Sequence, residues 1–348
     1  MLKLILSAVE PSGDRLAAEL LAALRSRGPV DARGVAGPAM RAAGVAPVAL
    51  MEDVAAMGIT EVLRNASRIR AASTRLSQTL TAPADLLVVI DGPDFHLPIA
   101  ARARKRGVIA VGYVSPQVWA WRPRRVHKIA RTLDALLCLF SFEPALYPDD
   151  FDVRFVGHPV RDRVLPRTGP VDPDLFGLLP ASRRQEMRRI LPDFLTAAER
   201  IRAELPTARF LMPLRDELAA QLPPLPPYVK RVGAGVESLR TARAALTKSG
   251  TVTLELAVMG VPQVVAHRVQ PLTYHLGRWL VNGVEHISLP NILARKAVVP
   301  EFLQNFSSQD IADAVLALPR TQPVSLDALG EGGAAERAAD ALMEIIRR

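Results

Sequence analysis

The sequence predicts an α/β protein of two doubly wound domains that face each other across a cleft. Single hydrophobic cores stop growing at about 250–300 residues, and this chain has 348 residues, 49% of them hydrophobic. Apolar, strand-like runs alternate with amphipathic, helix-like segments in both halves, which is typical of parallel sheets covered by helices. A stretch rich in Pro, Gly and Asp at 165–177 separates the halves and is interpreted as a linker.

The first half begins with the apolar strand LKLILSAV, the turn EPSGD and a helix that ends at Gly28. VDARGVA is predicted as a strand, and MRAAGVAP as a short helix. The continuous apolar run LLVVID ends in a carboxylate, which is typical of a central parallel strand. VIAVGYVS, LDALLCLF and VRFVGHP are predicted as strands, and HLPIAARARKRG and RRVHKIARTL as the helices between them.

The second half repeats the scheme. A strand, a turn and a helix are predicted in LLPASRRQEMRRIL, and a further strand is predicted in TARFLMPL. A turn, a helix and a strand are then predicted in LTKSGTVTLELAVMGVPQVVAHR. We therefore expect domains at 1–165 and 166–320. The amphipathic segment 321–348 is predicted to be a terminal helix, and it is a candidate to cross back to the first domain.

The composition excludes several classes of protein. A formal net charge of +9 favours anionic partners, but only 5% of the residues are aromatic and no nucleic-acid recognition motif is present, so nucleic acid is not an expected partner. No apolar run approaches the ~18–20 residues that span a bilayer, so any membrane contact is expected to be peripheral. The single cysteine and the scattered histidines predict no metal site.

Ligands of open α/β sheets bind beyond the carboxyl ends of the strands, and the turn EPSGD falls at such a position. Glu10 and Ser12 are candidate ligand contacts there, since Gly13 permits tight backbone geometry and a helix start offers unpaired N–H groups. The alternative is an ordinary helix cap by Ser12 or Asp14.

IDGPDF follows the predicted central strand. Asp91 and Asp94 are close together at its end, and one of them could serve as a general base that activates a hydroxyl group. The alternative is that Asp94 caps the next helix while Asp91 braces the turn.

The third segment is KSGTVTLE. Ser249, Gly250 and Thr251 at a helix start form a small group of N–H and hydroxyl donors suited to a diphosphate. Glu255, one helical turn further on, could accept hydrogen bonds from ribose hydroxyls. The alternative is a helix capped by Ser or Thr with an exposed glutamate.

The segment YVSPQVWAWRPRRVHKIA joins two of the three tryptophans to a basic run. Trp119 and Arg122 could present an apolar floor beside positive charge, or the tryptophans could be wedged in the core. The charges that follow could face anionic lipid, or form a solvated helix face.

Together these segments resemble the lipid-A-disaccharide synthase family, whose members are inverting glycosyltransferases of the GT-B architecture. The resemblance rests on SAVEPSGD, GVAGPAM, MGITEVL, IDGPDFHLPIA, YVSPQVWAWRPRRVHKIA, FVGHP, LLPASR, SGTVTLE and SLPNILARKAVVPEFLQ, which occur in the family's order. It implies transfer from UDP-2,3-diacylglucosamine to 2,3-diacylglucosamine 1-phosphate (lipid X). The products are a β-1,6-linked disaccharide 1-phosphate and UDP, and no metal or other cofactor is required.

The resemblance also implies roles for individual residues. Asp91 is expected to take the proton of the acceptor's 6-hydroxyl, in a first domain that binds the acceptor. In a second domain that binds the UDP-sugar, Arg183 is expected to neutralise the leaving diphosphate, with Ser249, Gly250, Thr251 and Glu255 holding diphosphate and ribose. Asn291 and Gln304 are expected in the same cleft.

The chain departs from the family's pattern at Pro11, Ser141, Ala181, Gln263 and His267. These departures leave acyl-chain specificity and the acceptor open. The alternatives are therefore a GT-B enzyme with another lipid-linked acceptor, or a non-catalytic peripheral membrane relative. The resemblance places the enzyme in the cytoplasm, on the cytoplasmic face of the inner membrane in contact with anionic lipid, and leaves a homodimer as an open alternative.

Overall fold

The computed structural model of the protein describes residues 1–54, 66–80, 84–119, 123–181, 183–220, 222–268 and 285–348. The chain forms two compact units. The first comprises Met1–Pro159 and Asp327–Arg348, and the second comprises Val160–Leu326. The last helix of the chain therefore belongs to the same unit as the first strand.

Thirteen strands are formed by the described residues: β1 Leu2–Ala8, β2 Val30–Ala36, β3 Ala46–Leu50, β4 Leu86–Ile90, β5 Ile109–Tyr113, β6 Ala135–Cys138, β7 Asp152–Phe155, β8 Asp172–Leu179, β9 Arg209–Pro213, β10 Val229–Val232, β11 Ala242–Thr247, β12 Gln263–His267 and β13 Glu301–Leu303. The α-helices of the same ranges are α1 Pro11–Arg25, α2 Pro38–Ala42, α3 Met51–Val54, α4 Ala66–Thr79, α5 Pro93–Arg104, α6 Arg125–Thr132, α7 Val160–Arg163, α8 Arg184–Glu204, α9 Asp216–Ala219, α10 Val252–Met259, α11 Leu289–Ala294, α12 Ser308–Leu316 and α13 Ala334–Arg347. None of these helices is long and apolar enough to cross a membrane.

The first unit is built on a parallel sheet with strand order β3-β2-β1-β4-β5-β6-β7. Alternate residues of each strand point to opposite faces. Leu4 and Leu6 pack with α1 and α13 on one face, whereas Ile5 and Leu87 pack with α4, α5 and α6 on the other. Both faces are covered, which explains why β4 is apolar along its whole length.

The second unit contains a six-stranded parallel sheet with strand order β10-β9-β8-β11-β12-β13. The helices α8 and α12 pack against this sheet. Their side chains Phe194 and Ile311 belong to one apolar cluster with Phe176, Leu246 and Val264 of the strands β8, β11 and β12. The prediction of an α/β fold with two doubly wound units is confirmed by these two sheets.

Several elements differ from the sequence prediction. The predicted linker at 165–177 is too long, because β8 already begins at Asp172 in spite of its Pro and Asp residues. The sequence patterns do not predict the strands β3, β10, β11 and β13. β3 exposes three of its five residues, and β13 has three residues, none of them buried, so neither carries the apolar pattern that marks a strand.

Candidate functional site

The strand order of the first unit brings Glu10 and Asp91 together. The order reverses between β1 and β4, and such a topological switch point is where open α/β sheets bind ligands. Ala8 lies opposite Ile90 in the register of these two strands. The loops that carry Glu10 and Asp91 therefore leave the sheet side by side.

Asp91 has an unusual backbone conformation. Its φ is 55° and that of Gly92 is 45°, so two successive residues are left-handed. Aspartate is one of the few non-glycine residues that tolerate this region, and strain of this kind clusters at functional sites. The Val9 N–H donates to Asp91 Oδ1 over 3.1 Å, whereas Asp91 Oδ2 is buried and has no hydrogen-bond partner among the residues that the structure describes.

The surroundings of Asp91 make its carboxyl group a weak acid. Burial raises its pKa, the charge of Glu10 raises it further, and the N–H groups of Val9 and Glu10 lower it, for a resulting pKa of about 8. A carboxylate with a pKa near the working pH is suited to general base catalysis.

A buried histidine, which no motif in the sequence marks as functional, holds the Asp91 turn in place. His96 Nδ1 lies 2.8 Å from the Asp91 carbonyl oxygen, and Nε2 lies 2.9 Å from Ser7 Oγ. A carbonyl only accepts, so Nδ1 carries the proton and Nε2 accepts from Ser7. Burial lowers the pKa of His96 to about 4, so the ring is neutral when it anchors this turn.

Gly13 is required for the space around Asp91. A Cβ built on Gly13 would lie 2.0 Å from Asp91 Oδ2, and the φ of Gly13 is not positive. The expectation that Gly13 serves tight backbone geometry is therefore wrong. Gly13 provides room for the carboxylate of a residue 78 positions away in the sequence.

The alternative of a helix cap in EPSGD is also wrong. Glu10, and neither Ser12 nor Asp14, is the N-cap of α1, and the Glu10 side chain forms no capping hydrogen bond. Ser12 lies exposed in the first turn. Asp14 is buried and accepts from the N–H groups of Gly37, Ala39 and Met40 over 2.8–3.0 Å, so it caps α2 instead.

Asp94 is not the N-cap of α5, because that position is occupied by Gly92 and Asp94 lies in the first turn. Its exposed carboxylate pairs with Arg125 Nη2 over 2.5 Å and so joins the first turns of α5 and α6.

Trp119 is half-buried and contacts Phe142 edge to face, with ring centroids 6.1 Å apart. Its ring therefore joins an aromatic group that continues through Phe140 to His158. Trp121 and Arg122 lie outside the described residues, as does the whole of MGITEVL.

The second unit has its own switch point between β8 and β11. The turn with Ser249, Gly250 and Thr251 follows β11 and leads into α10. Thr251 is the N-cap of α10 but forms no side-chain cap, so the predicted alternative of a helix capped by Ser or Thr is wrong. Ser249 Oγ donates to the Ile287 carbonyl over 2.5 Å. Glu255 lies half-buried in the first turn of α10.

Gln304 and Asn291 lie at different depths in this unit. Gln304 follows β13 with a φ of 63°, and its N–H donates to the His267 carbonyl over 3.0 Å, which places it at the carboxyl edge of the sheet. Asn291 is buried and uses both amide atoms on the backbone of Val298 and Val299 over 2.7–2.8 Å. Its side chain therefore braces the loop before β13.

The Glu186 carboxylate contacts the cationic side chains of Lys248 and Arg183 at the carboxyl edge of this sheet. Lys248 Nζ lies 2.9 Å from Glu186 Oε2, and Arg183 Nη1 lies 3.8 Å from Glu186 Oε1. Arg183 is the N-cap of α8, and Glu186 lies in its first turn. No group of three or more His, Cys, Asp or Glu side chains in the described ranges is arranged to hold a metal ion.

The departures in sequence fit the local structure. Ala181 has no positive φ, so its Cβ causes no backbone strain. Pro11 lies in the first turn of α1, where proline is favoured. The Ser141 N–H donates to the Ala328 carbonyl over 3.0 Å, a hydrogen bond that proline would lack. Gln263 is buried and donates to the Thr253 carbonyl over 2.8 Å.

The sequence matches a family model described as lipid-A-disaccharide synthetase over residues 4–320. It is 36% identical to the lipid-A-disaccharide synthase of Geobacter sulfurreducens, with 99% of this chain and 97% of that protein covered. It is 39% identical to the lipid-A-disaccharide synthase of Nitrosococcus oceani, with 86% of this chain and 82% of that protein covered.

Solved structures with low sequence identity have the same fold. The UDP-GlcNAc 2-epimerase of Neisseria meningitidis bound to UDP-GlcNAc has a TM-score of 0.63 at 12% identity, with 99% of this chain and 100% of that chain covered. MurG of Acinetobacter baumannii has a TM-score of 0.58 at 13% identity, with the same coverage. At these identities the likeness shows the GT-B fold alone.

Proposed function

This chain belongs to the lipid-A-disaccharide synthase family, and we propose that it transfers the diacylglucosamine group of UDP-2,3-diacylglucosamine to the 6-hydroxyl of lipid X. The observation that carries the proposal is the placement of the candidate residues. Asp91 and Glu10 lie at the switch point of one sheet, and the Ser-Gly-Thr turn and Arg183 lie at the switch point of the other. The first unit would bind the acceptor and the second the UDP-sugar.

Asp91 supplies the base in this proposal. Its carboxylate takes the proton from the acceptor hydroxyl, and the oxygen attacks the anomeric carbon of the donor as the bond to the diphosphate oxygen breaks. UDP leaves with the electron pair, and one displacement inverts the configuration. The left-handed backbone, the Val9 hydrogen bond and His96 fix the position of the carboxyl group, and fixed geometry of this kind lowers the barrier.

The second unit stabilises the charge that develops on the departing diphosphate. Ser249, Gly250 and Thr251 offer N–H groups at the start of α10, where the helix dipole favours an anion. The Arg183 guanidinium is 45% exposed, so it is available to a phosphate group. Glu255 would bind the ribose hydroxyls, Gln304 would line the same edge, and Asn291 would act through the loop that it braces.

The proposed function is tested by incubating the purified protein with UDP-2,3-diacylglucosamine and lipid X, and by measuring UDP and tetraacyl disaccharide 1-phosphate. Equal amounts of both products would support it. UDP binding without disaccharide would contradict lipid X as the acceptor and favour another lipid-linked acceptor. Absence of UDP binding would contradict catalysis and favour the non-catalytic relative.

The pH profile is expected to report the ionisation of Asp91. Only the ionised carboxylate accepts a proton, so kcat/KM for lipid X should rise with pH and level off above about pH 8, the pKa of this group. The negative charge of Glu10 raises that pKa, so Glu10→Gln should move the midpoint to lower pH. A midpoint that Glu10→Gln leaves unchanged would mean that another group limits the rate.

A basic helix layer formed by α4, α5 and α6 covers one face of the first sheet. α4 and α6 each carry three Lys or Arg residues and no carboxylate, and Arg70 and Lys128 among them are exposed. By contrast, α1 and α13 on the opposite face contain several Asp and Glu residues. We propose that the basic helix layer faces anionic lipid on the cytoplasmic side of the inner membrane. The homodimer of this chain, which the sequence leaves as an open alternative, stays a prediction.

The double variant Arg70→Ser, Lys128→Ser should bind vesicles of phosphatidylcholine and phosphatidylglycerol roughly 30-fold more weakly, since each basic residue near an anionic surface contributes about 1 kcal/mol. Sedimentation with the vesicles measures this, and the control is Lys230→Ser, Arg347→Ser, which removes the same charge from exposed positions outside the layer. Equal losses in the two double variants would assign the binding to net charge and contradict the proposed orientation.

A further inference from the structure

Lys248 is the first residue after β11, directly before the Ser-Gly-Thr turn. Its N–H donates to the Leu179 carbonyl over 3.0 Å, which ties it to the end of β8 at the switch point of the second sheet. A Cβ on Gly250 would lie 3.5 Å from Lys248 Cε and 3.6 Å from Nζ. The lysine side chain therefore bends back over the turn that is proposed to hold the diphosphate.

The ammonium group is paired and largely shielded from solvent. Lys248 Nζ lies 2.9 Å from Glu186 Oε2, and the two side chains are 13% and 20% exposed. The Glu186 carboxylate lies in the first turn of α8, where the helix dipole favours a negative group. The Glu186 carboxylate contacts both Lys248 and Arg183. A phosphate group is also an anion with oxygen acceptors, so it could bind the same two cations in place of the carboxylate.

His267, at the end of β12, is neutral in this arrangement. Burial lowers its pKa, the positive charge of Lys248 lowers it further, and Glu186 opposes the shift. Among the described residues, Lys248 and Arg183 are therefore cations that face Glu186, whereas His267 adds no positive charge there.

We propose that Lys248 is a further donor-site residue, whose ammonium group releases Glu186 and binds the diphosphate of the nucleotide sugar. This inference rests on the proposed function, since it assigns a group to the donor site. Glu186 acts as an internal competitor that neutralises the two cations until the diphosphate arrives. An ammonium group over the turn also stabilises the charge of the leaving UDP.

Lys248→Met keeps the aliphatic stem of the side chain and removes the charge. It should weaken UDP binding by ~10- to 100-fold, the value of one charge-assisted hydrogen bond, and leave uridine binding unchanged. Lys248→Arg should retain most of the affinity. Glu186→Gln should tighten UDP binding, because the competing charge is lost. Titration calorimetry with UDP and with uridine measures all three variants.

Lys230→Met, on the exposed part of β10, is the matched control and should bind UDP like the unchanged protein. A purely structural pair would give the opposite pattern: Lys248→Met and Glu186→Gln would both lower the melting temperature and leave the ratio of UDP to uridine affinity unchanged. That result would overturn the inference while the proposed function stands. Failure of the unchanged protein to bind UDP would instead contradict the proposed function.

Discussion

Asp91→Asn is expected to lower kcat by about 10²- to 10⁴-fold, the usual contribution of a positioned general base, and to leave UDP affinity unchanged. An amide has nearly the shape of a carboxyl group but cannot accept the proton of the acceptor hydroxyl. The proposed UDP site lies in the second unit, whereas Asp91 lies in the first. Initial rates at saturating lipid X and titration with UDP measure the two effects.

The variant should fold as the unchanged protein does. The pKa of about 8 means that Asp91 is largely protonated at pH 7, and a protonated carboxyl group and an amide are both neutral. Asp85→Asn is the matched control, because Asp85 lies before the opposite end of the same strand and accepts from the Lys3 N–H over 2.7 Å. It should keep full activity.

Two outcomes would contradict this role. A loss of UDP affinity in Asp91→Asn would make Asp91 a residue of the donor site or of the fold. Full activity would mean that another group accepts the proton, and Glu10, beside Asp91 at the same switch point, would be the first to test.

The sequence is sufficient to predict that the candidate loops follow strands of the sheets, but not how these loops come together. Buried parallel strands appear as apolar runs, so Asp91 and the Ser-Gly-Thr turn could be placed at strand ends. Periodicity contains no information about strand order. Only the order β1-β4 and β8-β11 reveals that these loops lie at the two switch points.

Contacts between distant residues could not be predicted for a related reason. Lys248 and Glu186 are 62 positions apart in the sequence. Lys248 follows β11 and Glu186 lies in the helix that follows β8, and the two come together because β8 and β11 are neighbouring strands. His96 lies in a helical segment, and nothing in the pattern of that segment indicates that its side chain forms a hydrogen bond with a backbone carbonyl. The sequence does contain a signal for this contact. A histidine on an apolar helix face needs a buried hydrogen-bond partner. Ser7, in the apolar strand β1, is a buried polar residue that also needs one, and the two side chains form a hydrogen bond.

Gly13→Ala is expected to reduce kcat by about 100-fold or more, because a displacement of reacting groups by about 1 Å has effects of this size. The new Cβ would lie 2.0 Å from Asp91 Oδ2 and 3.0 Å from Ile90 Cγ2. The carboxyl group must move, because His96 holds the left-handed backbone of Asp91 through its carbonyl oxygen. The movement would also disturb the hydrogen bond from the Val9 N–H to Asp91 Oδ1. UDP affinity should not change.

A double-mutant cycle of Gly13→Ala with Asp91→Ala measures how much of the loss of stability in Gly13→Ala comes from the collision with the Asp91 carboxyl group and how much from other contacts. Alanine is favoured over glycine inside a helix by about 1 kcal/mol, so only a collision makes glycine preferable here. Removing the Asp91 side chain removes the closest collision, and Gly13→Ala should then cost less unfolding free energy than it does in the unchanged protein. The coupling should reach about 1–3 kcal/mol, measured by urea denaturation of the four proteins. An equal cost in both backgrounds would show that Ile90, and not the Asp91 carboxyl group, excludes a side chain at position 13.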